Sequence, residues 1–181
     1  NCLSYDPAFS YEIAVIIKDG IQKMFVEQKN YFYYITTMNE NYEHPQMPKG
    51  VEEGIIKGMY NLLPEKKPAI RLIGSGSILN ESIKAKELLK NYDIESEVWS
   101  VTSFNLLRKN GMEIERKNQL NPNKKEIKTY VEECFQDDSI PVVASTDYMR
   151  AYAEQIRPYV KADYTVLGTD GFGRSDSRKN L

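Results

Sequence analysis

Apolar positions near the start of the chain repeat with helical spacing. Ile13, Ala14, Ile17, Ile21, Met24 and Phe25 fall on one side of a helix, and Val15 and Ile16 widen that face. A helix this apolar needs cover from several directions. Asp6-Pro7 ahead of it predicts an N-cap followed by proline at the first helical position. The period then shortens. Tyr31-Phe-Tyr-Tyr-Ile-Thr-Thr37 is aromatic and β-branched, which predicts a strand. One helix and one strand cannot bury these surfaces alone, so residues 1 to about 38 read as the tail of a domain whose remainder lies upstream. Asn39 to Lys49, with Pro45 and Pro48, reads as a polar loop between domains. Val51 to Leu63 predicts a short helix interrupted by Gly54 and Gly58, and Pro64 to Pro68 marks a second break.

From Ala69 onward strand and helix patterns alternate. Strands are predicted at Ala69–Ile73, Glu97–Thr102, Ile140–Ala144 and Tyr164–Leu167. Between them Asn80 can cap a helix with Ile83, Leu88 and Leu89 inside. The polar stretch Ser103–Asn123 is expected to be helical around Phe104–Leu107. Ile127, Tyr130, Val131, Cys134 and Phe135 keep a clear helical period, as do Met149, Tyr152, Ala153 and Ile156. This order predicts an α/β fold: right-handed βαβ units forming a mostly parallel, four-stranded sheet with flanking helices. No internal repeat or low-complexity tract interrupts it.

Composition narrows the partners. The 181 residues are 41% hydrophobic, enough for a packed core, and the net charge of -2 gives no electrostatic footprint for nucleic acid or an anionic membrane. No apolar run approaches the length of a membrane span and no signal peptide heads the chain. Cys2 and Cys134 make no disulfide framework, and Cys134 on an apolar stripe reads as a buried free thiol, so a reducing, cytoplasmic setting fits.

Candidate chemistry gathers where the predicted strands end. In such a sheet the carboxyl ends share one edge. Here that edge carries Ser75 and Ser77, Thr102 and Ser103, Ser145 to Asp147, and the run Thr169-Asp-Gly-Phe-Gly-Arg174. Backbone amides in Gly74–Ser77 are able to hold an anion, but the run lacks a dinucleotide fingerprint or a P-loop lysine, so a tight strand-to-helix turn is the plainer reading. Thr169, Asp170, Gly171, Gly173, Arg174 and Arg178 are candidates for an anion site or a subunit contact. Arg174 and Arg178, flanking Asp176, favour a salt-bridge net. His44, the single histidine, lies in a proline-rich loop and reads as packed or solvated. No Gly-x-Ser-x-Gly elbow offers it a serine, and no zinc constellation exists. Glu40, between Asn39 and Asn41, reads as part of a hydrogen-bonded connecting loop. These residues do not make a complete active site.

Several long runs occur in the same order as in a known family. They are Ser4-Tyr-Asp-Pro-Ala8, Tyr33-Tyr-Ile-Thr-Thr37 with Asn39-Glu-Asn-Tyr42, Leu72-Ile-Gly-Ser-Gly-Ser-Ile78, Ser100-Val-Thr-Ser-Phe104, Ala144-Ser-Thr-Asp-Tyr148 and Gly168-Thr-Asp-Gly-Phe-Gly-Arg-Ser-Asp-Ser-Arg178. Through them the whole chain resembles the homodimeric pyruvate dehydrogenases of the transketolase-like group. The resemblance implies that residues 1–45 end a pyrimidine-binding middle domain, 46–68 link, and 69–181 form the C-terminal α/β domain. For the intact enzyme it implies pyruvate decarboxylation on thiamine diphosphate with Mg²⁺, acetyl transfer to a lipoyl group, a homodimer partner subunit and a lipoyl acetyltransferase component as partner. The family's catalytic and cofactor motifs have no counterpart here, so no catalytic or cofactor-binding residue is carried over, and this segment is expected to support fold and dimer. Tyr42-Glu43-His44-Pro45 departs from the family's Tyr-His-Met-Pro, with the histidine displaced by one position.

Two other classes remain open: a free-standing module binding a small anion at the sheet edge, or a subunit-contact module without ligand. Exposed Ile16, Ile17 and Phe32 surfaces would argue against the first, and a broad apolar patch on 69–178 would mark the second.

Overall fold

A computed structural model describes residues 1–39 and 41–173. The first segment opens with a strand the polarity pattern did not reveal. Cys2–Tyr5 (β1) pairs in parallel with Phe32–Ile35 (β2), and helix Ser10–Ile21 (α1) makes the crossover. The helix begins at Ser10 with Phe9 at its N-cap, so Asp6 is not the cap expected at Asp6-Pro7. Glu12, Ile16 and Gly20, spaced by four, face inward. Ile17 and Ile21, assigned to the inner face above, stand about half exposed at 47% and 51%. Phe25, Val26, Phe32 and Tyr34 extend the exposed apolar surface, and Ile16 is buried.

The predicted helix Val51–Leu63 splits in two. Glu52–Lys57 (α2) ends at Gly58, whose φ of 115° is a left-handed cap that a side chain would strain. Met59–Leu63 (β3) then runs as a strand. Ile70–Gly74 (β4), Ser96–Val101 (β5), Val142–Met149 (β6) and Tyr164–Thr169 (β7) complete a sheet of five strands, not four, in the order β3-β5-β4-β6-β7. β3 is antiparallel to β5 and the other pairs are parallel.

The crossovers also correct expectations. Leu79–Lys90 (α3) follows a 3₁₀ turn at Gly76–Ile78, which places Asn80 inside the helix, bonded to the Ser77 carbonyl, and leaves Leu88 exposed. Phe104–Leu120 (α4) is a full helix whose N-cap, Ser103, accepts from the Leu106 N–H at 3.0 Å. Tyr130–Cys134 (α5) is a short helix, opened by Thr129 and Glu132 in a capping box, and Ile127 lies outside it. β6 runs past the expected strand end at Ala144 to Met149, so Arg150–Glu154 (α6) starts one residue later than expected, and a 3₁₀ turn at Arg157–Tyr159 carries the chain towards β7. Among the described residues no helix is long and apolar enough to cross a membrane.

Alternation along the strands divides the core. Met59, Ile73, Trp99, Val101, Ala144 and Val166 face α4, α5 and α6. Tyr60, Leu62, Leu72 and Val98 face the other way, onto Leu79 of α3, Ile55 of α2 and Leu3, Tyr5, Phe9 and Ile16 of the first segment. The first segment therefore closes one face of the sheet.

Candidate functional site

β4 and β6 are neighbours, yet the helices that follow them lie on opposite faces of the sheet: Leu79 of α3 in one core, Ala153 of α6 in the other. This is a topological switch point, where open α/β sheets form a ligand crevice outside the strand ends. In this chain the crevice holds Asp6. Its N–H donates to the Thr102 carbonyl after β5 at 2.7 Å, and its carbonyl accepts the Gly76 N–H after β4 at 3.0 Å. Oδ1 accepts from Tyr148 Oη in β6 at 3.1 Å and from Thr36 Oγ1. Gly76 takes a φ of 56°, and the Asp6 carboxylate lies 3.6–3.7 Å from where its Cβ would stand. The positive φ of this turn favours glycine.

Three candidates at this edge, Thr102, Ser103 and Thr146, are engaged within the chain. Thr102 Oγ1 donates to the Ile55 carbonyl at 2.7 Å, and Ser103 Oγ donates to the Ser4 carbonyl at 2.6 Å. Asn105 Nδ2 adds a bond to Ser4 Oγ, and Thr146 Oγ1 accepts the Tyr148 N–H. Ser75 and Ser77 are buried, and their hydroxyls find no partner among the described residues. Ser145 is half-buried and Asp147 is exposed.

The described part of the signature run, Gly168–Gly173, is not gathered into the crevice. Thr169 ends β7, and Gly171 turns with φ 79°. Asp170 pairs loosely with Arg150 at 3.6 Å on the rim of an open cleft of about 760 Å³, shared with Arg108, Glu115 and Glu154. Phe172 is fully exposed and Gly173 lies in open space. Gly168 has a steric reason: a Cβ there would stand 2.9 Å from the Tyr148 carbonyl. Arg174, Arg178 and Glu40 lie outside the described residues.

Glu12 is another buried acid, and it joins the first segment to the sheet. Oε2 accepts the N–H groups of Ala8 at 2.6 Å and Phe9 at 3.0 Å. Oε1 accepts from Tyr60 Oη of β3 at 2.7 Å and Ser100 Oγ of β5 at 2.6 Å. Tyr11 and Tyr60 share a further hydroxyl bond of 2.6 Å. Burial outweighs these bonds and holds the Glu12 carboxyl above the usual carboxylate range. Burial likewise raises Tyr60, with the Glu12 charge adding to it, and pushes Tyr11 up to about 12. Composition alone did not single out either acid. The usable signal was a carboxylate on the Glu12-Ile16-Gly20 stripe.

His44 is packed. Nδ1 accepts the Ser10 N–H at 3.0 Å, and the ring stacks on Tyr42 with 4.9 Å between centroids, edge-on to Phe9. Among the described residues no group of three or more His, Cys, Asp or Glu is placed to hold a metal ion. The arrangement offers two buried carboxylates, Asp6 and Glu12, each fixed by neutral donors from distant parts of the chain.

The family model of the transketolase-like C-terminal domain matches residues 58–181, and that of the pyruvate dehydrogenase E1 component middle domain matches residues 1–45. The chain is 58% identical to the pyruvate dehydrogenase E1 component of Pseudomonas aeruginosa and 54% identical to that of Escherichia coli K12, in each case over its whole length and 21% of the relative. It thus spans about a fifth of the curated relatives it matches. Among solved structures, a transketolase from Pichia stipitis in complex with sedoheptulose 7-phosphate superposes with a TM-score of 0.63 at 20% identity, over 99% of this chain and 22% of the other. An inactive tetramer of a split-gene transketolase gives 0.55 at 14% identity, over 94% and 49%. At such identities the likeness is one of fold.

Proposed function

This chain belongs to the transketolase-like C-terminal domain family, and on that premise we propose that it is the supporting portion of a pyruvate dehydrogenase E1 component. The intact protein would decarboxylate pyruvate on thiamine diphosphate with Mg²⁺ and pass the acetyl group to a lipoyl arm. It would work as a homodimer beside a lipoyl acetyltransferase in the cytoplasm. The role of these 181 residues is to close the end of the middle domain onto the C-terminal sheet and hold it there.

The observation that carries this reading is the filled switch-point crevice. Asp6 occupies the place where a free-standing module would take its ligand, so the small-anion alternative loses its site. The Asp6 carboxylate would also repel a diphosphate. The described residues therefore do not fit thiamine diphosphate and Mg²⁺, and no catalytic step is derived through them. The exposed apolar face of α1 and β2 supports the same reading from the other side. A two-stranded parallel sheet with Phe25 74% and Phe32 59% exposed needs further cover, which the rest of a middle domain would supply.

Calorimetry of thiamine diphosphate with Mg²⁺ against this chain and against the full-length protein tests the proposal. Saturable binding by the full-length protein alone is expected. Saturable binding by the 181-residue chain would overturn the supporting role.

A further inference from the structure

The crevice between β4 and β6 is not merely blocked; it is built around a carboxylate. Asp6 is 7% exposed and, through main chain and side chain together, reaches the ends of three adjacent strands, β5, β4 and β6. Its backbone crosses the edge as a docked peptide would, donating to Thr102 and accepting from Gly76. The side chain then enters between Thr36 and Tyr148, two hydroxyl donors that belong to different segments. Lining the same turn are Ser75 and Ser77, at 2% and 3% exposure, whose hydroxyl oxygens have no partner among the described residues. A buried hydroxyl without a partner costs free energy unless a ligand or water satisfies it. Tyr148 and Tyr152, which pack edge to face, are both raised first by burial and then by the Asp6 charge, so the carboxylate acts on the groups around it.

We propose that this crevice is a carboxylate-binding site whose resident ligand is the chain's own Asp6. The sheet edge is thereby closed to free small anions and serves instead as the latch between the first segment and the C-terminal sheet. The recognition chemistry is that of neutral donors: hydroxyls on the two sides, with a glycine turn beneath. Such a site suits a small monocarboxylate better than a diphosphate, which carries more charge than neutral hydroxyls can offset. The inference deepens the supporting role proposed above and rests on it through the geometry of Asp6, while its test involves no thiamine cofactor, so the two can fail separately.

Chemical rescue provides that test. Asp6→Ala removes the carboxylate and leaves a space edged by the Thr36 and Tyr148 hydroxyls, which formate has the size and charge to fill. Thermal midpoints of the full-length wild-type protein, Asp6→Ala and Asp6→Asn are measured in sodium formate and in sodium chloride at matched ionic strength. In Asp6→Ala formate should raise the midpoint saturably, by about 3 °C over chloride. Wild type and Asp6→Asn, whose side chains fill the space, should give the same midpoint in both salts. Superimposed formate and chloride curves for Asp6→Ala would overturn the proposal, as would an equal formate effect in wild type, which would locate the binding elsewhere. If Asp6→Ala does not accumulate in folded form, the refolded fraction in the two salts is the readout, and equal fractions count against the latch.

Discussion

Glu12 provides the sharpest test of how the first segment is held. Its side chain is fully buried and accepts four hydrogen bonds, two from backbone N–H groups and two from hydroxyls. Glu12→Ala strands the Ala8 and Phe9 N–H groups in the interior. At about 1–3 kcal/mol for each orphaned buried donor, the loss is about 4 kcal/mol, before any cavity term. Glu12→Gln keeps the volume. Its carbonyl oxygen can accept from both backbone groups while its amide donates to the Tyr60 and Ser100 oxygens, so a loss of about 1–2 kcal/mol is expected.

The two variants also differ in how they respond to pH. Burial raises the folded-state pKa of Glu12, so its contribution is complete below the unfolded carboxylate range and falls as pH rises through the folded value. Gln does not titrate, so the penalty of Glu12→Gln should shrink as pH rises above about 4.3. Urea unfolding of the chain, followed by the fluorescence of its one tryptophan, Trp99, in a buried edge-to-face contact with Phe135, reads both effects. A Glu12→Ala loss below about 1 kcal/mol, or a Glu12→Gln penalty that grows with pH, would refute the reasoning.

Three further outcomes are expected. Gly111→Ala should destabilise by about 1–3 kcal/mol by urea unfolding, because the new Cβ would stand 2.2 Å from the buried Tyr159 ring. Phe25→Ser should move the stability of the 181-residue chain by no more than about 0.5 kcal/mol, yet lower the thermal midpoint of the full-length protein, where the proposed middle domain covers this face; equal midpoints for full-length wild type and variant would show that the face stays bare. The Cys134 thiol, pushed up to about 11 chiefly by burial, should alkylate at pH 8 far more slowly than exposed Cys2, read by peptide mass spectrometry, since about one molecule in 1,000 carries its thiolate.

Much of the fold was legible in the order of residues. The α/β class, the strands at Tyr31–Thr37, Ala69–Ile73, Glu97–Thr102 and Tyr164–Leu167, and the family resemblance all follow from runs of β-branched and aromatic residues or from unbroken motifs. β1 and β3 were hidden for specific reasons. Cys2-Leu-Ser-Tyr5 is short and gains strand geometry only by pairing with β2, while Met59–Leu63 reads as a continuation of the preceding helical pattern although the left-handed turn at Gly58 has already ended the helix. The inner face of α1 was misassigned because nearly every side of that helix is apolar. Burial of Ile16 rather than Ile17 was decided by which side meets the sheet.

The site divides in the same way. Local sequence was enough to show that the strand ends carry small polar residues, because that statement concerns residue type and spacing. Where Asp6 and Glu12 lie depends on partners far along the chain: Tyr148 is 142 positions from Asp6, and Ser100 is 88 from Glu12. A carboxylate on a surface and one fixed in a core read identically as letters. Only the folded chain sets the burial and the donors around each, and with them the difference between a solvated charge and a latch.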